Sequence, residues 1–90
     1  MSEVRENPEQ SRFELETSEG PAVAIYRLRD GNLHIVHTEV PKVLEGRGIG
    51  SQLVRGVLEI ARERGQKVVP RCPFVAAYMK RHAEYADLVP

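Results

Sequence analysis

The hydrophobic pattern changes period part-way along the chain. Up to about Val40 the apolar residues alternate with polar ones or run in short blocks; beyond it they recur at helical spacing. Arg12-Phe13-Glu14-Leu15-Glu16 alternates strictly, as a strand with one buried face does. Glu19-Gly20-Pro21 reads as a turn, and Ala22 to Leu28 is rich in strand formers. Asp30-Gly31-Asn32 reads as a tight hairpin turn into a further strand, Leu33 to Val40. These three strands are expected to form an antiparallel meander, which Pro41 closes.

Three glycines follow, at 46, 48 and 50. Ile49, Leu53, Val54, Val57, Leu58 and Ala61 then fall on one face of a helix. Gly65 ends that helix, with Arg62 and Arg64 in its last turn where the helix dipole favours cations. Gln66 to Pro70 is a short strand. Strand, loop, helix and strand make a βαβ unit, so this strand should lie parallel to the third. Arg71-Cys72-Pro73 is a second strand-to-helix junction, because Pro73 suits the first turn of a helix running to about His82. Glu84 to Val89 reads as a packed tail. The chain is thus expected to be an α/β (α+β) domain: a three-stranded antiparallel meander, a βαβ unit and a C-terminal helix. Residues 1–10 are expected to be a flexible N-terminus and 11–90 a single domain.

Charge narrows the partners. Thirteen basic and thirteen acidic residues cancel and are interleaved, as in Glu59-Ile60-Ala61-Arg62-Glu63-Arg64. No basic field is present to draw nucleic acid or an anionic membrane. The lone cysteine, Cys72, rules out an intrachain disulfide and fits a reducing compartment. No apolar run approaches the ~20 residues that span a bilayer, and Met1 to Arg12 lacks the apolar stretch of a signal peptide. The expectation is a soluble cytoplasmic protein, a monomer or weak dimer.

The candidate chemistry gathers at the two strand-to-helix junctions. A glycine loop opening a helix aims backbone N–H groups and the positive end of the dipole at one spot, which suits a phosphate or pyrophosphate. Gly46-Arg47-Gly48-Ile49-Gly50 is not a Walker loop, since no Gly-Lys-Ser/Thr follows, and it does not fit the dinucleotide fingerprint. It reads otherwise as a tight turn needing positive φ. Cys72 precedes Pro73 as an N-cap, where the dipole and Arg71 favour thiolate; it reads as a nucleophile, a thiol lining a site, or a small buried hydrophobe. Cys72 and Glu39 should both lie at the carboxyl edge of the sheet. Alternation puts His37 and Glu39 on one face of their strand and His34 on the other. A His and a carboxylate together suit a general base, or are a polar pair on a solvated face. No spacing here is that of a metal site. On the last helix Tyr78 suits a proton donor and Lys80 or Arg81 a phosphate ligand, each against an ordinary place on an amphipathic helix. Tyr26 and Tyr85 read as packing residues.

Glu45-Gly46-Arg47-Gly48-Ile49-Gly50-Ser51-Gln52-Leu53, between strand and helix, resembles the acetyl-coenzyme A motif of the GNAT N-acetyltransferase superfamily. His37-Thr38-Glu39-Val40-Pro41, Pro70-Arg71-Cys72-Pro73-Phe74-Val75 and Tyr78 to Leu88 are similar to the marks of a subgroup of very small GNAT-like proteins. The resemblance runs from Phe13 to Val89. It implies a reduced GNAT fold and an acetyl-coenzyme A-dependent transfer to an amine acceptor. The pantetheine arm would run along Thr38, Glu39 and Val40. The pyrophosphate would rest on the amides of Gly46, Arg47, Gly48, Ile49, Gly50 and Ser51, with Lys80 as a further ligand. Glu39 would be the base, directly or through water, Cys72 the acyl acceptor or site thiol, and Tyr78 the donor to the departing thiolate.

Two departures stand out. Glu45 occupies a position where the family prefers Arg or Gln, and a carboxylate there repels a diphosphate. The span from Phe13 to Leu28 has room only for a hairpin, so the acceptor side should be open and suited to a large or polymeric amine. These departures also admit a coenzyme A-binding module with little or no turnover, and a purely structural domain is the remaining reading.

Overall fold

The structure is a computed structural model that describes residues 3–90. One sheet holds five strands in the order β1-β2-β3-β4-β5. They are β1 (Arg5–Asn7), β2 (Arg12–Thr17), β3 (Gly20–Arg29), β4 (Asn32–Glu39) and β5 (Val68–Pro70). The first four are antiparallel, and β5 runs parallel to β4. Two helices, α1 (Ile49–Glu63) and α2 (Pro73–Arg81), follow β4 and β5 respectively. The tail forms a 3₁₀ turn, Ala83–Leu88, that buries Tyr85 and Leu88. Among the described residues no helix is long and apolar enough to cross a membrane.

The meander has four strands, not three. Of the stretch expected to be loose up to residue 10, Arg5–Asn7 pairs with β2 and Pro8–Gln10 forms a 3₁₀ turn; residues 1–2 lie outside the described ones. Three polar residues carry no readable period. What holds them is specific: Val4 is buried, Glu6 accepts a hydrogen bond from Tyr26, and Glu6 meets Arg64 at the end of α1 at 2.7 Å. Tyr26 is therefore a hydrogen-bond partner as well as a packing residue, and so is Tyr85, which donates to Glu59.

The core is a single cluster. Phe13, Leu15, Ala24, Tyr26, Leu33 and Ile35 of the sheet meet Leu53, Val54, Val57, Leu58 and Ala61 of α1. Val75, Tyr78 and Met79 of α2 complete it. Their spacing on α1 is the apolar stripe read from the sequence. The alternate sheet positions, Arg12, Glu14, Arg27 and His34, are partly or fully exposed.

Two irregularities in β4 shape the site. Tyr26 pairs with Ile35 but Ile25 pairs with His37, so Val36 is an extra residue in β4. Such a bulge reverses the alternation that follows. Leu33 and Ile35 before it, and Thr38 after it, point toward the helices. His34, His37 and Glu39 share the other face, opposite Arg27, Ile25 and Val23. The expectation that His34 faces away from His37 and Glu39 is corrected on this ground. Second, β5 pairs only with Leu33, His34 and Ile35. The N–H groups of Arg71 and Cys72 then both donate to the Ile35 carbonyl, at 3.0 and 2.9 Å. That turns the chain away, and Val36 to Glu39 run on without β5 beside them.

Candidate active site at the splayed edge of β4

A cleft of about 520 Å³ opens where β4 and β5 part. The end of β4 supplies Thr38 and Val40, the loop Leu44, Glu45 and Gly46, the start of α1 Gly48 to Ser51, and α2 supplies Phe74. The loop is built by two positive-φ glycines, Gly46 at +83° and Gly48 at +80°. A Cβ at either would meet nothing within 4 Å, so it is backbone conformation, not space, that calls for glycine there. The N–H groups of Leu44, Glu45 and Arg47 are spent on carbonyls within the loop. Gly48 is the N-cap of α1 and offers no side chain to cap it, and no acid sits in the first turn. The amides of Ile49, Gly50 and Ser51 therefore face the cleft with the positive end of the dipole behind them, an arrangement that favours an anion.

Cys72 is the N-cap of α2, with Pro73 at the first helical position, as the sequence suggested. Its thiol is buried and lies 3.6 Å from the Thr38 hydroxyl across the splay. Burial opposes ionisation, but backbone hydrogen bonds from Val75 and Phe74 and the contacts of Thr38 outweigh it and hold the pKa below the ordinary thiol value. Thr38 is thus a shared wall, lining the cleft on one side and touching the thiol on the other.

The remaining sequence candidates are distributed differently. Glu39 meets His37 Nε2 at 3.0 Å, and both side chains are more than half exposed on the sheet face away from the helices. Arg47 is exposed at the loop tip. Tyr78 is buried on α2, stacked on His82 at 4.1 Å and near Tyr85 at 6.3 Å, and it does not line the cleft. Burial raises its pKa. Lys80 is exposed in the last turn of α2, at the far end of that helix from Cys72. The structure therefore unites Thr38, Val40, the glycine loop and Cys72, sets Glu39 beside them on the opposite face, and leaves Tyr78 and Lys80 apart. Leu44 and Phe74 line the cleft without having been singled out. The available signal was Phe74 itself, a large apolar residue next to the proline that opens a helix.

A larger cavity, about 760 Å³, lies between the N-terminal segment and α1, bordered by Glu3, Arg55, Glu59 and Glu63. It has neither a helix N-terminus nor a thiol. Among the described residues no group of three or more His, Cys, Asp or Glu is placed to hold a metal ion.

Comparison with known proteins agrees with this geometry. A solution structure of a GCN5-like candidate N-acetyltransferase from Staphylococcus aureus superposes with a TM-score of 0.73 at 28% identity. The match covers 100% of this chain and 91% of that one. The family profile described as GCN5-related N-acetyl-transferase matches residues 12–88, nearly the whole length. The chain belongs to the GCN5-related N-acetyltransferase family.

Proposed function

We propose that the protein is an acetyl-coenzyme A-dependent N-acetyltransferase whose acceptor is a large or polymeric amine. The observation that carries this reading is the parting of β4 from β5 beside an uncapped helix N-terminus. The amides of Ile49, Gly50 and Ser51 take the pyrophosphate of the co-substrate; the Arg47 amide, expected among them, is bonded to the Leu44 carbonyl instead. The pantetheine arm enters the splay along Thr38 to Val40, which brings the thioester toward Thr38 and Cys72. The amine approaches from the face bearing His37 and Glu39. Its nitrogen bonds to the thioester carbonyl as the C–S bond breaks, its proton passes to the Glu39 carboxylate directly or through water, and the thiolate leaves with the coenzyme. His37 fixes the orientation of that carboxylate. Tyr78 does not line the cleft, so in this scheme the thiolate is protonated by solvent, and Tyr78→Phe should retain turnover.

Glu45 supports a second reading. Its position in the cleft lining sets a carboxylate close to the bound phosphates, which lowers affinity and suits a coenzyme-binding module with little turnover. Thermal unfolding with acetyl-coenzyme A, coenzyme A and ATP side by side tests the shared premise. A ligand at ~100 times its Kd adds about 2.7 kcal/mol, which in a domain of this size raises Tm by about 10 °C or more. A rise with both coenzyme forms and not with ATP is expected. An amine screen then separates enzyme from module: Glu39→Gln should lose rate and keep coenzyme binding.

A further inference from the structure

Gly50 differs from the other two loop glycines. Its φ is not positive, so its backbone conformation is open to any residue, and in the first turn of α1 alanine would be the better helix former. The reason for glycine lies in what rests on it. A Cβ built there would stand 2.9 Å from Phe74 Cζ, 3.2 Å from Phe74 Cε2 and 3.6 Å from Val40 Cγ2. The Phe74 ring lies against the bare backbone of α1 from across the cleft, yet 42% of the residue remains exposed. A phenyl ring seated on one side and open on the other, beside Val40 and Leu44, is a surface that an apolar ligand segment would cover.

We propose that Phe74, seated on Gly50, is the binding residue for the flexible arm of the ligand, and that the pair separates recognition of the arm from recognition of the phosphates. The inference rests on the coenzyme reading above and adds to it a division of labour. The loop amides hold the charged end, and the Phe74–Gly50 contact holds the uncharged end next to Thr38. Phe74→Ala removes the surface. Gly50→Ala leaves the ring in place chemically but unseats it, because the new methyl takes its position. Since Phe74 is 42% exposed and stands outside the core cluster, and Gly50 lies in a helix, neither change should unfold the protein.

The test is calorimetric titration of the wild type, Phe74→Ala, Gly50→Ala and the double variant. The probes are coenzyme A and adenosine 3′-phosphate 5′-diphosphate, which keeps the phosphates and lacks the arm. Phe74→Ala is expected to weaken coenzyme A by about tenfold or more and to leave the nucleotide unchanged. Gly50→Ala should weaken coenzyme A in the same selective way and add nothing in the Phe74→Ala background. Unchanged coenzyme A affinity in Phe74→Ala overturns the proposal, as does an equal loss for both probes or a fully additive double variant. If the wild type binds neither probe, the coenzyme reading itself fails and this inference goes with it.

Discussion

Replacing Gly48 by alanine isolates the backbone conformation on which the cleft depends. Gly48 sits at φ 80°, ψ 7°, in the left-handed region, as the N-cap of α1. A Cβ there meets nothing within 4 Å, so no clash adds to the conformational cost. That cost for a non-glycine residue is about 1–2 kcal/mol. For a domain of this size each kcal/mol moves Tm by about 4–8 °C, so Gly48→Ala should lower Tm by roughly 4–16 °C. Asparagine tolerates the left-handed region, so Gly48→Asn should recover part of the loss. The chain has a second way to respond: it can abandon the positive φ and let the first turn of α1 fray. In that second case the amides of Ile49, Gly50 and Ser51 lose their common direction, and the rise in Tm produced by coenzyme A should shrink. Scanning calorimetry of the three proteins, with and without coenzyme A, measures both effects. A Gly48→Ala protein with wild-type Tm and an undiminished coenzyme response would refute the reasoning, because the loop would then not need the left-handed residue.

Four further outcomes are expected. The Cys72 pKa is lowered, so its alkylation should reach half-rate at a lower pH than that of an unstructured cysteine peptide run alongside, and Thr38→Val should move the midpoint upward. The linked stability has the sign of a depressed pKa: present above the unfolded thiol value, lost as pH falls through the folded one. Burial, then the hydrogen bonds to Glu6 and Glu59, push Tyr26 and Tyr85 up to about 12, so tyrosinate absorbance should rise late. Their contribution is fully present below the unfolded value near 10 and is lost as pH rises toward 12. Deleting residues 1–7 removes the partner of the Tyr26 hydroxyl and exposes Arg64 without Glu6. A hydrogen bond to a charged group is worth about 1.5–3 kcal/mol, so the urea midpoint should fall; an unchanged midpoint would show that β1 contributes nothing. If Cys72 carries acyl groups, incubation with acetyl-coenzyme A should add one acetyl mass that Cys72→Ala does not acquire; intact-mass analysis without that addition removes the covalent route.

What the sequence revealed, and what it hid, follows from the range of the interactions. The α1 stripe from Leu53 to Ala61 and the alternation of Phe13 and Leu15 are local patterns with many repeats, and both stand in the structure as read. Cys72 as an N-cap followed from one proline. Strand β1 was hidden because three residues show no period and their ties, Glu6 to Tyr26 and Arg64, are far apart in sequence. The bulge at Val36 was hidden because it is a property of two paired strands, and it moved His34 to the face of His37 and Glu39. Tyr78 and Lys80 share the last helix with the site, but the helix carries them away from the cleft that its first turn lines. Phe74 gained meaning only once Gly50 stood beneath it.

The central claim is that the amides of the glycine loop and the splayed end of β4 form one coenzyme site. Titrating ¹⁵N-labelled protein with acetyl-coenzyme A and following each backbone amide tests it most directly. The expected result is that Gly46 to Ser51 shift most, together with Thr38, Val40 and Phe74, while Arg55, Glu59 and Glu63, which border the other cavity, stay still. Shifts concentrated around Arg55, Glu59 and Glu63, or no shifts at all, would contradict the claim.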